Sequence, residues 1–121
     1  MRRIILVALP LILSLGCVSQ KKNYTEGESL ELAQEFVLES PTYKFDGMDL
    51  KHVSTAKAEC AFCWVFTFEF TSRSAGYGDR SDQMVAQVIT QHRAEITVEN
   101  GKVTRAVLDD EWDMISQEMA E

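Results

Sequence analysis

The stretch Cys60-Ala61-Phe62-Cys63-Trp64-Val65-Phe66-Thr67-Phe68-Glu69-Phe70 decides how this chain folds. From Trp64 onward an aromatic side chain recurs at every second position: Trp64, Phe66, Phe68 and Phe70. Val65, Thr67, Glu69 and Thr71 fall between them. Successive side chains of a strand point to opposite faces, so residues 64–71 predict a β-strand with one aromatic face. Each ring buries on the order of 150–250 Å². A wall of that size needs a covering element.

The cover is expected upstream. Thr25-x-x-Glu28 is a capping box, and Glu26, Glu28 and Glu31 favour the positive end of a helix dipole. Leu30, Ala33, Phe36 and Val37 then share one helical face. Ser40-Pro41 ends that helix, because the residue before proline avoids the helical region. Downstream, Tyr43 and Phe45 alternate ahead of an Asp46-Gly47 turn signal. Residues 50–60 read as a weak strand, with Val53 and Thr55 on one side and Ala56 and Ala58 on the other. The segment Ser72-Arg-Ser-Ala-Gly-Tyr-Gly-Asp-Arg-Ser-Asp-Gln83 is a loop in which Gly76 and Gly78 flank Tyr77.

Residues 84–99 form the next extended segment. Met84, Ala86, Val88, Ala94, Ile96 and Val98 share one parity, and the polar run Thr90 to Arg93 predicts a bend or bulge. Asn100-Gly101 predicts a two-residue type I′ hairpin. It would set Val98 against Val103 and Ala94 against Val107, with a last strand over 102–108. Asp109 or Asp110 is expected to cap a short C-terminal helix carrying Trp112, Ile115 and Met119 on one face. The expected fold is α+β: an N-terminal helix packed on a curved four-stranded antiparallel sheet, with a short C-terminal helix.

The chain of 121 residues allows one domain after its leader is removed. Arg2 and Arg3 precede an apolar run from Ile4 to Leu15, and Gly16-Cys17 closes it, which is the anatomy of an export signal. The run is short of the roughly 20 apolar residues of a membrane-spanning helix. The expected organisation is a signal peptide over 1–16, a flexible polar tether over 17–27 and a single α+β domain over 28–121. Without Arg2 and Arg3 the formal charge moves from −7 to −9. So acidic a domain repels phosphate backbones and argues against nucleic acid as a partner.

Leu13-Ser-Leu-Gly-Cys17 resembles the signal of prokaryotic lipoproteins. That resemblance implies cleavage before Cys17, acylation (palmitate among the chains) of its sulfur, and a membrane partner reached through the N-terminal lipid. It places the protein in the cell envelope, outside the cytoplasm. Two or more acyl chains anchor stably. The runs "CAFCWVFTFEF", "AGYGDR" and "AEITVENGKV" are similar to a group of small prokaryotic exported proteins without an assigned activity. The helix-on-curved-sheet architecture resembles cystatin-like and PepSY-type domains, which implies a fold and no chemistry.

With Cys17 lipidated, Cys60 and Cys63 remain in an oxidising compartment, an arrangement that favours a disulfide between them. Two alternatives stay open. One is a redox pair, although no helix N-terminus follows to lower a thiol pKa. The other is a metal site completed by His52 and His92. The acidic run Asp109, Asp110, Glu111 and Asp113 suits either a hard cation or a helix dipole. Ser54, Ser72, Ser74 and Ser81 lack a nucleophile-elbow setting and evident His and Asp partners. No cofactor fingerprint occurs. The chain therefore reads as a small anchored binding or structural module rather than an enzyme. Gly76, Tyr77, Gly78, Asp79 and Arg80 are its expected contact loop. A thiol-disulfide or metal-handling protein built on Cys60 and Cys63 is the alternative.

Overall fold

The computed structural model describes residues 23–120. The expected export signal and Cys17 lie outside them.

Helix α1 (Glu26–Glu39) opens on the expected capping box. The Thr25 hydroxyl accepts from the Glu28 N–H at 3.1 Å, and the Glu28 carboxylate accepts from the Thr25 N–H at 3.1 Å. It ends at Ser40, and Pro41 begins a six-residue helix α2 (Pro41–Asp46) in the segment whose Tyr43 and Phe45 were expected to alternate. Proline at the first helical position has no N–H to lose and a φ already suited to a helix. Six strands follow: β1 (Gly47–Lys57), β2 (Cys63–Ser72), β3 (Thr90–Glu99), β4 (Lys102–Leu108), β5 (Trp112–Asp113) and β6 (Glu118–Met119). They pair antiparallel in sequence order as one meander.

The expected four-stranded sheet with a C-terminal helix is thus corrected to a six-stranded sheet with two helices, both preceding it. The C-terminal segment fails to be a helix because Asp109 and Asp110 both take left-handed backbone conformations, with φ of 55° and 59°. Short acidic side chains tolerate that region. The two residues turn the chain so that Trp112 pairs with Leu108. Asp113 then accepts the Ile115 and Ser116 N–H groups at 2.9 and 3.0 Å, and Gln117 turns left-handed into β6. Met114 is buried, while Ile115 and Met119 face solvent. The helical spacing of Trp112, Ile115 and Met119 was fortuitous.

The aromatic wall is as expected. Phe66, Phe68 and Phe70 are buried and Trp64 nearly so, clustered with Ala33 and Val37 of α1 and with Ala94, Ile96, Val98, Ala106 and Leu108. Fully burying one such side chain stabilises by about 1.5–3 kcal/mol. Tyr43 of α2 meets Phe70 edge-on, centroids 5.0 Å apart.

Register departs from expectation at three places. β1 carries two one-residue bulges, between Met48 and Lys51 and between His52 and Ser54. β3 runs against β2 without a break from Thr90 to Glu99, so no bulge falls at Thr90 to Arg93. The bulge lies in β4 instead: Val98 faces Val103 as expected, but Thr97 faces Arg105, and Ala94 faces Leu108 rather than Val107. Residues 84–89 are not a strand. β2 stops at Ser72 opposite Thr90, so its pairing with β3 reaches no further back along the chain.

Candidate functional site

Two places concentrate polar chemistry, at opposite ends of β2. The first is built around His92. Its Nδ1 lies 2.7 Å from Asp109 Oδ2, and its Nε2 lies 3.1 Å from the Ser72 hydroxyl. Ser72, His92 and Asp109 come from β2, β3 and the turn after β4, and they stand in the order of a hydrolase triad. Sequence reading gave Ser72 no partners, because the three residues are 20 and 17 positions apart and only the strand register unites them.

Access and proton supply both speak against a nucleophile there. Ser72 is fully buried, and His92 is enclosed between Phe70 and Tyr77, ring centroids 5.0 and 5.7 Å away. The Ser72 hydroxyl also lies 2.8 Å from the Ser74 carbonyl, which can only accept. The single hydroxyl proton thus has two acceptors in reach, the Ser74 carbonyl and His92 Nε2, and the carbonyl competes with the imidazole for it.

Asp109 ties this cluster together. Besides His92 it accepts the Arg93 N–H at 2.7 Å and the Tyr77 hydroxyl at 3.1 Å. Burial alone would raise its carboxyl. The hydrogen bonds from His92 and Arg93, the charge of His92 and the bond from Tyr77 together hold it below the ordinary carboxylate range. Burial, then the adjacent Asp109 and Glu111 carboxylates, push the Tyr77 phenol well above its usual range, so it stays a neutral donor. Tyr77 stacks on Trp112, centroids 5.3 Å apart and planes 12° from parallel.

The loop Gly76 to Arg80, expected as a contact surface, is folded around its own arginine. Arg80 is 2% exposed. Its Nη1 donates to the Gly78 and Gly76 carbonyls at 2.8 and 3.2 Å, and its Nη2 to Asp46 at 2.9 Å. Its guanidinium lies over the Phe45 ring at 4.6 Å. Ser74 donates to the other Asp46 oxygen at 2.6 Å, and the Gly78 N–H donates to Thr42 at 2.7 Å. Gly76 and Gly78 take φ of 103° and 77°, conformations that favour glycine. Much of the AGYGDR pattern therefore serves loop closure. Asp79 and Ser81 remain exposed and, with Glu39, Pro41, Lys44 and Phe45, line a shallow depression.

That depression shares Glu39 and Pro41 with a groove of about 540 Å³ between α1 and the β3–β4 hairpin. Leu32, Phe36, Pro41, Val103 and Met114 give the groove an apolar floor. On its helix side Glu35 and Glu39 line the groove, Glu31 stands one turn earlier in an adjoining depression, and Lys102 lines the hairpin side. Sequence reading assigned the apolar residues of α1 to the core and did not foresee this groove. The four-residue glutamate spacing was the available signal.

The second polar place is the β1–β2 turn. Cys60 and Cys63 stand at disulfide distance, with Cα atoms 5.2 Å apart. Cys60 is exposed and Cys63 fully buried. The four residues of the expected metal alternative are not brought together. His52 pairs opposite Phe68, His92 opposite Phe70, and Cys63 lies five residues before Phe68 on β2, about 16 Å along the strand. His52 instead bonds Thr55 and the Ser54 carbonyl, at 2.8 and 3.0 Å. The acidic run at 109–113 does not converge either: Asp109 and Asp113 direct their oxygens to the donors named above. Among the described residues no group of three or more His, Cys, Asp or Glu side chains is placed to hold a metal ion, and no helix is long and apolar enough to cross a membrane.

Comparisons with protein-family models, with curated proteins and with solved structures found no match for this chain.

Proposed function

We propose that this protein is a lipid-anchored, exported binding module, and that its groove takes a basic amphipathic segment of a partner protein. The observation that carries this reading is the juxtaposition of an apolar floor, Leu32, Phe36, Pro41, Val103 and Met114, with Glu35 and Glu39 on the helix side of the groove and Glu31 one turn earlier on α1. A helix laid along α1 would put aliphatic side chains into the groove and lysines against the glutamates. Asp79 extends the acidic rim at the Pro41 end. The net charge of −7 favours encounter with a cationic partner. The enclosed Ser72 hydroxyl supports a binding role over hydrolysis, and the lipobox resemblance at Cys17 supports anchoring.

The binding half is tested with a fluorescent Leu/Lys amphipathic peptide and anisotropy. Double charge reversal, Glu31→Lys with Glu35→Lys, should weaken binding about tenfold, and raised salt should weaken it further. Equal affinity in the reversed protein would remove the groove from consideration. The anchoring half is tested in cells with an alkyne fatty acid, whose label should depend on Cys17 and vanish in Cys17→Ser.

A further inference from the structure

We propose that Cys60 and Cys63 form an exchangeable thiol–disulfide centre, with Cys60 as the attacked sulfur and Lys57 as the cation that stabilises its thiolate. This inference is independent of the groove.

Three observations converge on it. First, the pair is asymmetric: Cys60 is exposed at the turn, whereas Cys63 is fully buried at the start of β2. An incoming thiolate reaches only Cys60. Second, the turn is held without the sulfurs. The Ala58 N–H donates to the Cys63 carbonyl at 2.9 Å, and the Asn100 N–H donates to the Phe62 carbonyl at 2.9 Å. Lys57 pairs with Trp64, and Cys63 with Glu99. The bond can therefore open and close on a fixed frame. Third, the Lys57 ammonium donates to the carbonyls of both Cys60 and Cys63, and it lies 5.2 Å from the Trp64 ring centroid. No carboxylate within ion-pair distance neutralises it among the described residues. A cation beside a thiol favours its ionised, nucleophilic form. The other charged groups near the pair are Glu59 on the same turn, Glu99 opposite Cys63 and Lys102 opposite Glu99. All three are solvent-exposed and screened.

The reaction partner is a dithiol. One of its thiolates attacks Cys60 Sγ; the Cys60–Cys63 bond breaks and Cys63 leaves with the electron pair as a thiolate. The partner's second thiolate attacks its own sulfur in the mixed disulfide and releases Cys60 as a thiolate. The partner is oxidised by two electrons to a disulfide. Cys60 and Cys63 are reduced and take up, as far as they protonate, the two protons its thiols lost. Run backward, the same steps reduce a partner disulfide.

The test uses the full chain and dithiothreitol as the probe. Under native conditions dithiothreitol should reduce the pair completely while the far-UV circular dichroism stays unchanged. Iodoacetamide should then label Cys60 at least tenfold faster than Cys63. The pH midpoint of Cys60 labelling should fall below that of a free cysteine. Lys57→Met should raise that midpoint and slow labelling at neutral pH at least threefold, and Lys57→Arg should restore it. Reduction only when the protein unfolds, equal labelling of both thiols, or a Lys57→Met protein with unchanged Cys60 reactivity would each overturn the proposal. None of these readouts involves peptide binding, so failure here leaves the groove untouched.

Discussion

At the turn end of β2, cysteines three positions apart stand at disulfide distance, in reach of one covalent link; at its other end, Thr42, Asp46, Ser72, Ser74, Tyr77, Arg80, His92 and Asp109 are joined by hydrogen bonds and ion pairs alone. The covalent end constrains little. A loop so short removes only about 2 kcal/mol of unfolded-state entropy, and backbone hydrogen bonds already close the turn. The non-covalent end spans α2, β2, the glycine loop, β3 and the turn after β4, with long-range contacts 17 to 36 residues apart in sequence. Bond strength and structural importance are thus inverted between the two ends. What counts is how much chain each interaction gathers, and how costly its groups are to leave unpaired once buried.

Asp46→Ala should strike hardest. It leaves the Arg80 guanidinium buried without its carboxylate, a change that costs about 3–5 kcal/mol. Urea unfolding should show it, and the double variant Asp46→Ala with Arg80→Met should recover part of the loss. Complete additivity of the two would break the comparison.

Asp109→Ala comes next. It orphans the His92 Nδ1 and the Arg93 N–H, and hydrogen bonds to a charged group contribute about 1.5–3 kcal/mol. Asp109→Asn should cost less, since one carbonyl acceptor remains and asparagine tolerates the left-handed backbone.

The pH profile sharpens the same end. The Asp109 carboxyl is held below its ordinary range in the folded protein. Its contribution is therefore complete above the unfolded value of about 3.9 and is lost as pH falls through the lower folded value. Thermal melts from pH 6 down to pH 2 should show a steeper acid decline in the wild type than in Asp109→Asn. Parallel declines would contradict the role given to Asp109.

The smallest effect belongs to the covalent end. Cys60→Ser with Cys63→Ser should cost about 2 kcal/mol or less, with an unchanged circular dichroism spectrum. A loss matching that of Asp46→Ala would reverse the comparison.

Legibility in the sequence followed the locality of the signal. The aromatic alternation of 64–71, the Thr25/Glu28 cap and the Asn100-Gly101 turn, with φ of 52° and 80°, each state their structure within a few residues. β1 was faint because two bulges reset its parity, so Val53 and Thr55 do not continue one simple face. Met84, Ala86 and Val88 mimic a strand that stays outside the sheet, and Met84 and Val88 end up exposed. At the candidate sites, the cysteine pair was visible as spacing. The Ser72–His92–Asp109 chain and the Arg80–Asp46 pair were not, since their members meet only through strand register. The groove was hidden for a related reason: it forms where a helix and a hairpin, distant in sequence, leave a gap between them.

Gly101 has a consequence for where the chain enters the body. A side chain there would strike the ring of Tyr24, so the described chain begins against the Asn100-Gly101 turn. That turn bonds the Phe62 carbonyl, on the thiol side of the molecule. Five residues, Val18 to Lys22, lie between Cys17 and Asn23, a span of about 20 Å at full stretch. The described chain therefore enters the body beside the cysteine turn, at the end of β2 opposite the arginine-locked loop, so whatever precedes residue 23 departs from the thiol side.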